Sequence, residues 1–193
     1  MLRRALLVAI LVLPLVAASA KAGLIEVDIN FQPAGSPVPA GYLPDSGAAF
    51  GDRGNGFSYG WNVTTGDTRD RGAHPDQRYD TLNHMQRSGD RTWEIALPAS
   101  EYRVHLVMGD PSYTDSLNSA ALEGLSLTDP DGQDNFDEYL ADVFVTDGRL
   151  TLAPAAGSSN AKVAFIEVTQ IPEPATLSLL GLGLLALARR RRR

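Results

Sequence analysis

Cysteine is absent from all 193 residues. That removes a disulfide scaffold, a zinc ribbon, a CxxC redox site and a cysteine nucleophile together. The three histidines, His74, His84 and His105, show neither HxH nor HExxH spacing, so no zinc-ligand pattern is present. GxSxG and P-loop patterns are missing as well, and there is neither an internal repeat nor a heptad pattern. Positive charge is scarce in the body of the chain. Seven of the 17 basic residues are Arg3, Arg4 and Arg189 to Arg193, at the two ends. Between Lys21 and Ile171 ten basic residues face 22 acidic ones, which leaves that stretch twelve charges negative. A body this acidic repels phosphate backbones and argues against a nucleic-acid partner. A hydrophobic content of 44% is that of an ordinary globular protein, and the length is that of one domain.

The two ends read as addresses. Arg3 and Arg4 precede an apolar run from Ala5 to Val16, and Ala18-Ser19-Ala20 forms an A-x-A cleavage site. Residues 1–22 therefore read as a signal peptide to be removed by signal peptidase, too short to span a membrane comfortably. At the other end Pro172-Glu173-Pro174 breaks the preceding structure. Ala175 to Ala188 follow, fourteen residues without a charge, and then five arginines. Such arginines favour the cytoplasmic side of a membrane. The apolar run, residues 175–188, is expected to form a transmembrane helix. At a rise of ~1.5 Å it reaches about 21 Å across a core of about 30 Å, which suits a transient inner-membrane anchor.

The order of Pro-Glu-Pro, short Leu/Gly-rich helix and terminal arginines resembles the PEP-CTERM sorting signal of exopolysaccharide-producing Gram-negative bacteria. That resemblance implies recognition by exosortase, a membrane-embedded cysteine transpeptidase, with loss of the tail near the motif. It also implies delivery to the cell surface or the extracellular matrix.

Between the addresses, residues 23–170 show period-2 hydrophobicity and turn residues rather than a helical stripe. Strands are expected from Leu24 to Phe31, around Trp93, Ile95 and Leu97, from Tyr102 to Met108, over Ala121 to Leu127, and from Lys162 to Val168. In the last of these the alternation is ambiguous at Ala164 and Phe165. Thr146-Asp147-Gly148-Arg149 reads as an Asp-Gly hairpin joining strands at Val143–Val145 and Leu150–Leu152. Gln32 to Arg91 is rich in Gly, Asp, Arg and aromatics, poor in aliphatics, and reads as a long functional loop. The pattern as a whole predicts an all-β, antiparallel β-sandwich.

A second likeness rests on the order of Ile29-Asn30-Phe31-Gln32, Gly41-Tyr42, Tyr59-Gly60-Trp61, Arg69-Asp70-Arg71, Arg78-Tyr79-Asp80, Trp93 to Pro98, Gly109-Asp110-Pro111 and Val145 to Leu150. This order resembles the galactose-binding-like, malectin-like and CBM35-like modules attached to polysaccharide-active enzymes. It implies a jelly-roll-type β-sandwich, a carbohydrate ligand in loops at one end of the sandwich and, in some members, a structural calcium.

Sugars are held by an aromatic face, with carboxylates, amides and arginine on the hydroxyls. The candidate ligand-binding residues are Tyr59, Trp61, Arg71, Tyr79, Asp110 and Tyr113, with Arg69, Asp70, His84 and Asn118 behind them. Each has a plainer reading. Trp61 would plug the core beneath the loop, and the Arg and Asp residues would form a turn-organising salt-bridge network. Asp110 would be an Asx-type cap. Thr128 to Glu138 has the look of a calcium loop but departs from the EF-hand template, because Gly132 falls at the fourth position from Asp129 rather than the sixth. An acidic turn is its plainer reading. The expected protein is an exported, non-catalytic polysaccharide-binding protein that needs no cofactor. The alternatives are a structural matrix protein without a ligand and a small glycan lyase or hydrolase.

Overall fold

The structure, a computed structural model, describes residues 23–172. The expected signal peptide, the transmembrane helix at 175–188 and the arginine cluster lie outside the described residues, as do Glu173 and Pro174. Among the described residues no helix is long and apolar enough to cross a membrane.

Two sheets face each other. One has seven strands: β1 (Glu26–Phe31), β2 (Tyr42–Asp45), β5 (Thr68–Asp70), β6 (Thr81–His84), β8 (Ser100–Gly109), β11 (Phe136–Val145) and β13 (Lys162–Gln170). Its main path runs β11-β8-β13-β1-β2, and β6 joins β13 and carries β5. The other has six strands in the order β10-β9-β12-β7-β4-β3. These are β3 (Gly51–Asp52), β4 (Ser58–Trp61), β7 (Trp93–Ala96), β9 (Ala120–Leu122), β10 (Leu125–Leu127) and β12 (Arg149–Pro154). Of the strand pairings only β1 with β2 is parallel. The architecture is the antiparallel-rich β-sandwich that the period-2 patterning predicts.

The core follows from that patterning. Tyr102, Val104 and Leu106 of β8, Ile29 and Phe31 of β1, and Trp93 and Ile95 of β7 are buried between the sheets, each aromatic or large aliphatic side chain contributing roughly 1.5–3 kcal/mol of burial. Phe31 sits edge-on to both Trp61, at 5.7 Å, and Trp93, at 5.3 Å. The two indoles share one acceptor. Trp61 Nε1 donates to Asp45 Oδ1 and Trp93 Nε1 to Asp45 Oδ2, each at 2.9 Å. The ambiguous alternation of β13 has a physical cause, since a register shift between Val163 and Phe165 inserts Ala164 as a bulge. Ala164 and Phe165 then pack with Val107 on the outer face of the larger sheet.

Three expectations need correction. The segment Gln32 to Arg91 is not one loop, for it contains β2 to β6 and the single-turn helix α1 (Gln77–Asp80). Ala121 to Leu127 is a hairpin, β9 and β10, rather than one strand. The Asp-Gly turn does not make a hairpin. β11 pairs with β8 in one sheet and β12 with β7 and β9 in the other, so the turn arches across the sandwich. Its local chemistry is as expected, with Gly148 at φ +89° and Arg149 N donating to Asp147 Oδ1 at 3.1 Å.

Candidate functional site

A cleft of about 280 Å³ opens at one end of the sandwich, where β6 ends and β13 begins. His84 and Lys162 are cross-strand partners there, so their positions are set by the sheet ladder. β5 adds Arg69, and Arg71 follows immediately after it. The connection between β8 and β9 adds Tyr113 and Asp115, while Arg87 and Asn160 come from the loops after β6 and before β13. Gly109 makes the approach of that connection workable. At its φ of +141° an added Cβ would lie 2.0 Å from the carbonyl oxygen of Asn135, so glycine alone fits where β8 hands over to Asp110.

Two of the cations, Arg71 and Lys162, are held by short bonds to carboxylates, while Arg87 makes a looser contact of 3.8 Å with Asp67. Arg71 places Nε 3.0 Å and Nη2 2.5 Å from the two oxygens of the fully buried Asp110. Its guanidinium also lies 4.7 Å from the centre of the Tyr113 ring, a bidentate and cation–π arrangement that fixes both partners. Asp110 Oδ1 also accepts from Ser112 N at 3.0 Å, which is the expected Asx turn. Lys162, buried to 1% exposure, donates to Asp115 Oδ1 and Ser116 Oγ, both at 2.6 Å, and this bond holds the Asp115 carboxyl below the usual carboxylate range. Arg69 donates to Thr68 O at 2.6 Å and takes part in none of the ion pairs among the described residues. Tyr113 is 52% exposed and rims the cleft.

His84 reports the field inside. It is 6% exposed, and neither ring nitrogen has a hydrogen-bond partner. Burial first, then Lys162, Arg69, Arg87 and Arg71, push its imidazole down to about 4. The ring is therefore neutral at physiological pH, and one nitrogen is free to donate while the other accepts.

Of the sequence candidates, Arg69, Arg71, His84 and Tyr113 meet at this cleft, with Asp110 behind Arg71. Tyr59 and Trp61 do not. They are 1% and 0% exposed, because strict alternation on β4 turns both rings inward. Trp61 binds Asp45, and the Tyr59 hydroxyl donates to Pro44 O at 3.0 Å. Neither ring can stack on a ligand, and the plainer reading of Trp61 is the observed one. Tyr79 belongs elsewhere too. On α1 it packs edge-on against Phe136 and Phe165 at 5.1 Å and covers the outer face of the larger sheet, its hydroxyl donating to Glu138 Oε1 at 2.7 Å. Asp70 is exposed. Asn118 is buried, with Nδ2 donating to Asp137. Lys162, Asp115, Arg87 and Asn160 were missed by sequence reasoning. Only Lys162 carries a signal, as a lone cation opening an otherwise apolar strand.

A second, larger cleft of about 410 Å³ lies along β1 and β2, lined by Glu26, Asp28, Leu43 and Phe57 among others. Burial, then Glu167 and Glu26, push the Asp28 carboxyl up to about 6. Asp129, Asp131 and Asp137 form the one cluster among the described residues arranged to hold a metal ion. There, burial together with Asp129, Asp134 and Asp131 pushes Asp137 up to about 6.

Comparison with solved structures places the sandwich among known folds. Protein YXIM from Bacillus subtilis is 23% identical over 76% of this chain and 40% of its own, with a TM-score of 0.51. The plant receptor-like kinase FER is 19% identical over 77% of this chain and 43% of its own, with a TM-score of 0.54. The chain thus spans less than half the length of either. A family 35 carbohydrate-binding module from Clostridium thermocellum overlaps 53% of this chain and 92% of its own at 14% identity, with a TM-score of 0.30, and adds nothing to the fold argument. The first two share the β-sandwich fold of this domain. Residues 170–193 match the PEP-CTERM protein-sorting motif, so the sandwich is carried by an exported protein that is sorted to the cell envelope or surface. No curated protein matches the chain.

Proposed function

We propose that this is a non-catalytic saccharide-binding protein of the cell surface or extracellular matrix, and that the cleft between β6 and β13 takes an acidic sugar. One observation carries the reading. Four cationic side chains and a buried histidine without a hydrogen-bond partner converge on a cleft in a body that is otherwise strongly acidic. Arg71, Lys162 and Arg87 already pair with Asp110, Asp115 and Asp67, so a carboxylated sugar ring would answer Arg69, the cation outside the ion pairs of the described residues, and give His84 a partner, while the exposed Tyr113 ring offers a face for its C–H side. The volume sits at the small end of the about 300–1,000 Å³ usual for ligand sites, which suits a chain end or a single ring better than a long stretch of polymer. Asp115 is the one carboxylate lining the cleft, and its bond to Lys162 occupies it. That favours binding over the paired-carboxylate chemistry of a glycosidase. On this reading residues 1–22 are cleaved by signal peptidase. Residues 175–188 hold the protein briefly in the inner membrane, and exosortase removes the tail near Pro172, Glu173 and Pro174.

An affinity gel or glycan array with the full chain tests the ligand. Retention of acidic glycans, weakened about tenfold or more by Arg69→Ala and again by Tyr113→Ala, is the expected result. Failure to retain any glycan by the folded protein, or retention by both variants equal to that of the wild type, overturns it. A matrix protein without a ligand is the second reading, and the burial of Tyr59 and Trp61 favours it. It predicts the first of those failures.

A further inference from the structure

We propose that the sandwich, while its tail holds it, stands on the lipid surface on the end from which β13 exits. The sugar cleft then lies at the far end, and glycan is bound before the tail is cut. This placement rests on the reading of residues 175–188 as a membrane anchor and of the β6–β13 cleft as the sugar site. β13 joins the two. It opens with Lys162 in the cleft and closes at Gln170, nine residues in all, a span of about 26 Å at about 3.3 Å per residue. β8 and β11 run beside it between the same two ends. Gly109 pairs with Phe136 next to the cleft, where β8 hands over to Asp110, whereas Tyr102 pairs with Gln170 and Val143, and Glu101 with Phe144, at the other end. The exit is pinned there. Gln170 N donates to Ile25 O and Ile171 N to Glu101 O, each at 2.8 Å. None of the residues lining the cleft belongs to this end.

The leash between fold and membrane is short. The uncharged run begins at Ala175, four Cα steps beyond the hydrogen-bonded Ile171 and at most about 14 Å from it. The headgroup layer on one side of the hydrocarbon core takes up about 5–7 Å of that reach. The run itself covers about 21 Å of a core of about 30 Å, so spanning draws its flanks inward and leaves the sandwich no room to float free. The end that meets the lipid carries the exposed Leu24 and Phe144. Arg103 and Arg149, at the same end of β8 and β12, are already paired with Asp142 and Glu94. Neither is free to hold anionic headgroups, so the contact lasts only as long as the tail does. A sandwich lying on its side would instead press the acidic body, with 22 acidic and ten basic residues between Lys21 and Ile171, onto those headgroups at an electrostatic cost.

The absence of cysteine lets single fluorescent labels be placed without background. Two exposed positions serve, Thr146→Cys in the turn after β11 and Thr114→Cys in the loop at the cleft. The exported form, residues 23–193, is labelled at one or the other and reconstituted into phosphatidylethanolamine–phosphatidylglycerol vesicles with nitroxide-labelled headgroups. The protein is expected to float with the vesicles, with loss of most of the fluorescence at residue 146 and none at residue 114. Acidic glycan should be retained by the floated protein as well as by the same protein in detergent. Equal quenching at the two positions, or stronger quenching at residue 114, overturns the orientation and leaves the anchor standing. Glycan retained in detergent but lost on vesicles overturns binding before the cut. Failure to float removes the anchor and the orientation with it. Floated protein that retains no glycan in either setting removes the sugar reading and with it binding before the cut, while the quenching still decides the orientation.

Discussion

Two buried titratable residues show how single side chains set both the scaffold and the cleft. Asp45 accepts from both core indoles and from Gly47 N, the last at 2.8 Å, and is 2% exposed. Burial raises its pKa even though all three donors oppose the shift. Removing the carboxylate leaves two indole N–H groups without acceptors in the centre of the core. Asp45→Ala is therefore expected to cost about 3–5 kcal/mol in denaturant unfolding, while Asp45→Asn, which keeps one acceptor, costs less. His84 makes a pH-dependent contribution whose sign is fixed. Its ordinary value of 6.5 falls to about 4 in the fold, so between those values the unfolded chain binds a proton that the folded chain refuses. The stability is complete above about pH 6.5 and is lost as pH falls towards 4. Asp28 and Asp137, both raised to about 6, act in the opposite direction over the same window. The test is thus a comparison. Between pH 7 and pH 5 the melting temperature of wild type should fall further than that of His84→Asn, and equal changes would refute the assignment.

Among the elements, the short segment from Arg71 to Asp80 carries more of the site than its length suggests. Asp80 is 4% exposed and accepts from three successive backbone amides, Gly72 at 2.8 Å, Ala73 at 2.6 Å and His74 at 2.7 Å. Arg71 N in turn donates to the Asp80 carbonyl at 3.0 Å. Burial alone would raise the Asp80 carboxyl, but these amides overcome it and hold the group below its usual range. Its contribution is present above the unfolded-state value near 3.8 and disappears as pH falls through the lower folded one. Asp80→Asn should cost about 1–3 kcal/mol and weaken acidic-glycan retention by loosening Arg71, measured by unfolding and by the same affinity gel. Unchanged retention would detach this loop from the cleft. The sequence marked Arg69-Asp70-Arg71 and Arg78-Tyr79-Asp80 as a turn-organising network but not the three amides that Asp80 gathers. β1, β7 and the first half of β8 are legible because their inward positions are aliphatic or aromatic at period 2, and β13 because it is largely apolar on both sides of its bulge. β2 to β6 are two to four residues each, and their buried positions are filled by Asp45, Tyr59, Trp61 and Asn83, so neither length nor hydropathy reveals them. The Asp-Gly turn misleads for a related reason, because a tight turn fixes chain reversal but not which sheet receives the next strand. Arg71, Asp110 and Tyr113 are legible as a loop cluster. Lys162 and Asp115 meet only because the β8–β9 connection passes the start of β13, where Leu117 bridges Ser159.

At the scale of the whole molecule, the sorting motif and the fold share residues. The motif begins at residue 170, and β13 ends at Gln170. β13 lies between β1 and β8, which makes the last strand central rather than peripheral. Its final hydrogen bonds reach just past it, with Gln170 N donating to Ile25 O and Ile171 N to Glu101 O, each at 2.8 Å. Every ladder bond among the described residues lies before Pro172, so a tail removed beyond it costs none of these. A cut only a few residues earlier strips pairing from the middle of the larger sheet, along with Ile166 and Val168 from the core. Truncation after Pro172 is therefore expected to leave the far-ultraviolet circular dichroism spectrum and the melting temperature within about 2 °C of the full chain. Truncation after Ala161, which deletes β13 and with it Lys162 of the cleft, should leave no cooperative transition. Release of the sandwich from its tail is thermodynamically free only if the first truncation melts like the whole protein. A large drop in its midpoint would mean that the tail is part of the folded unit rather than a detachable address.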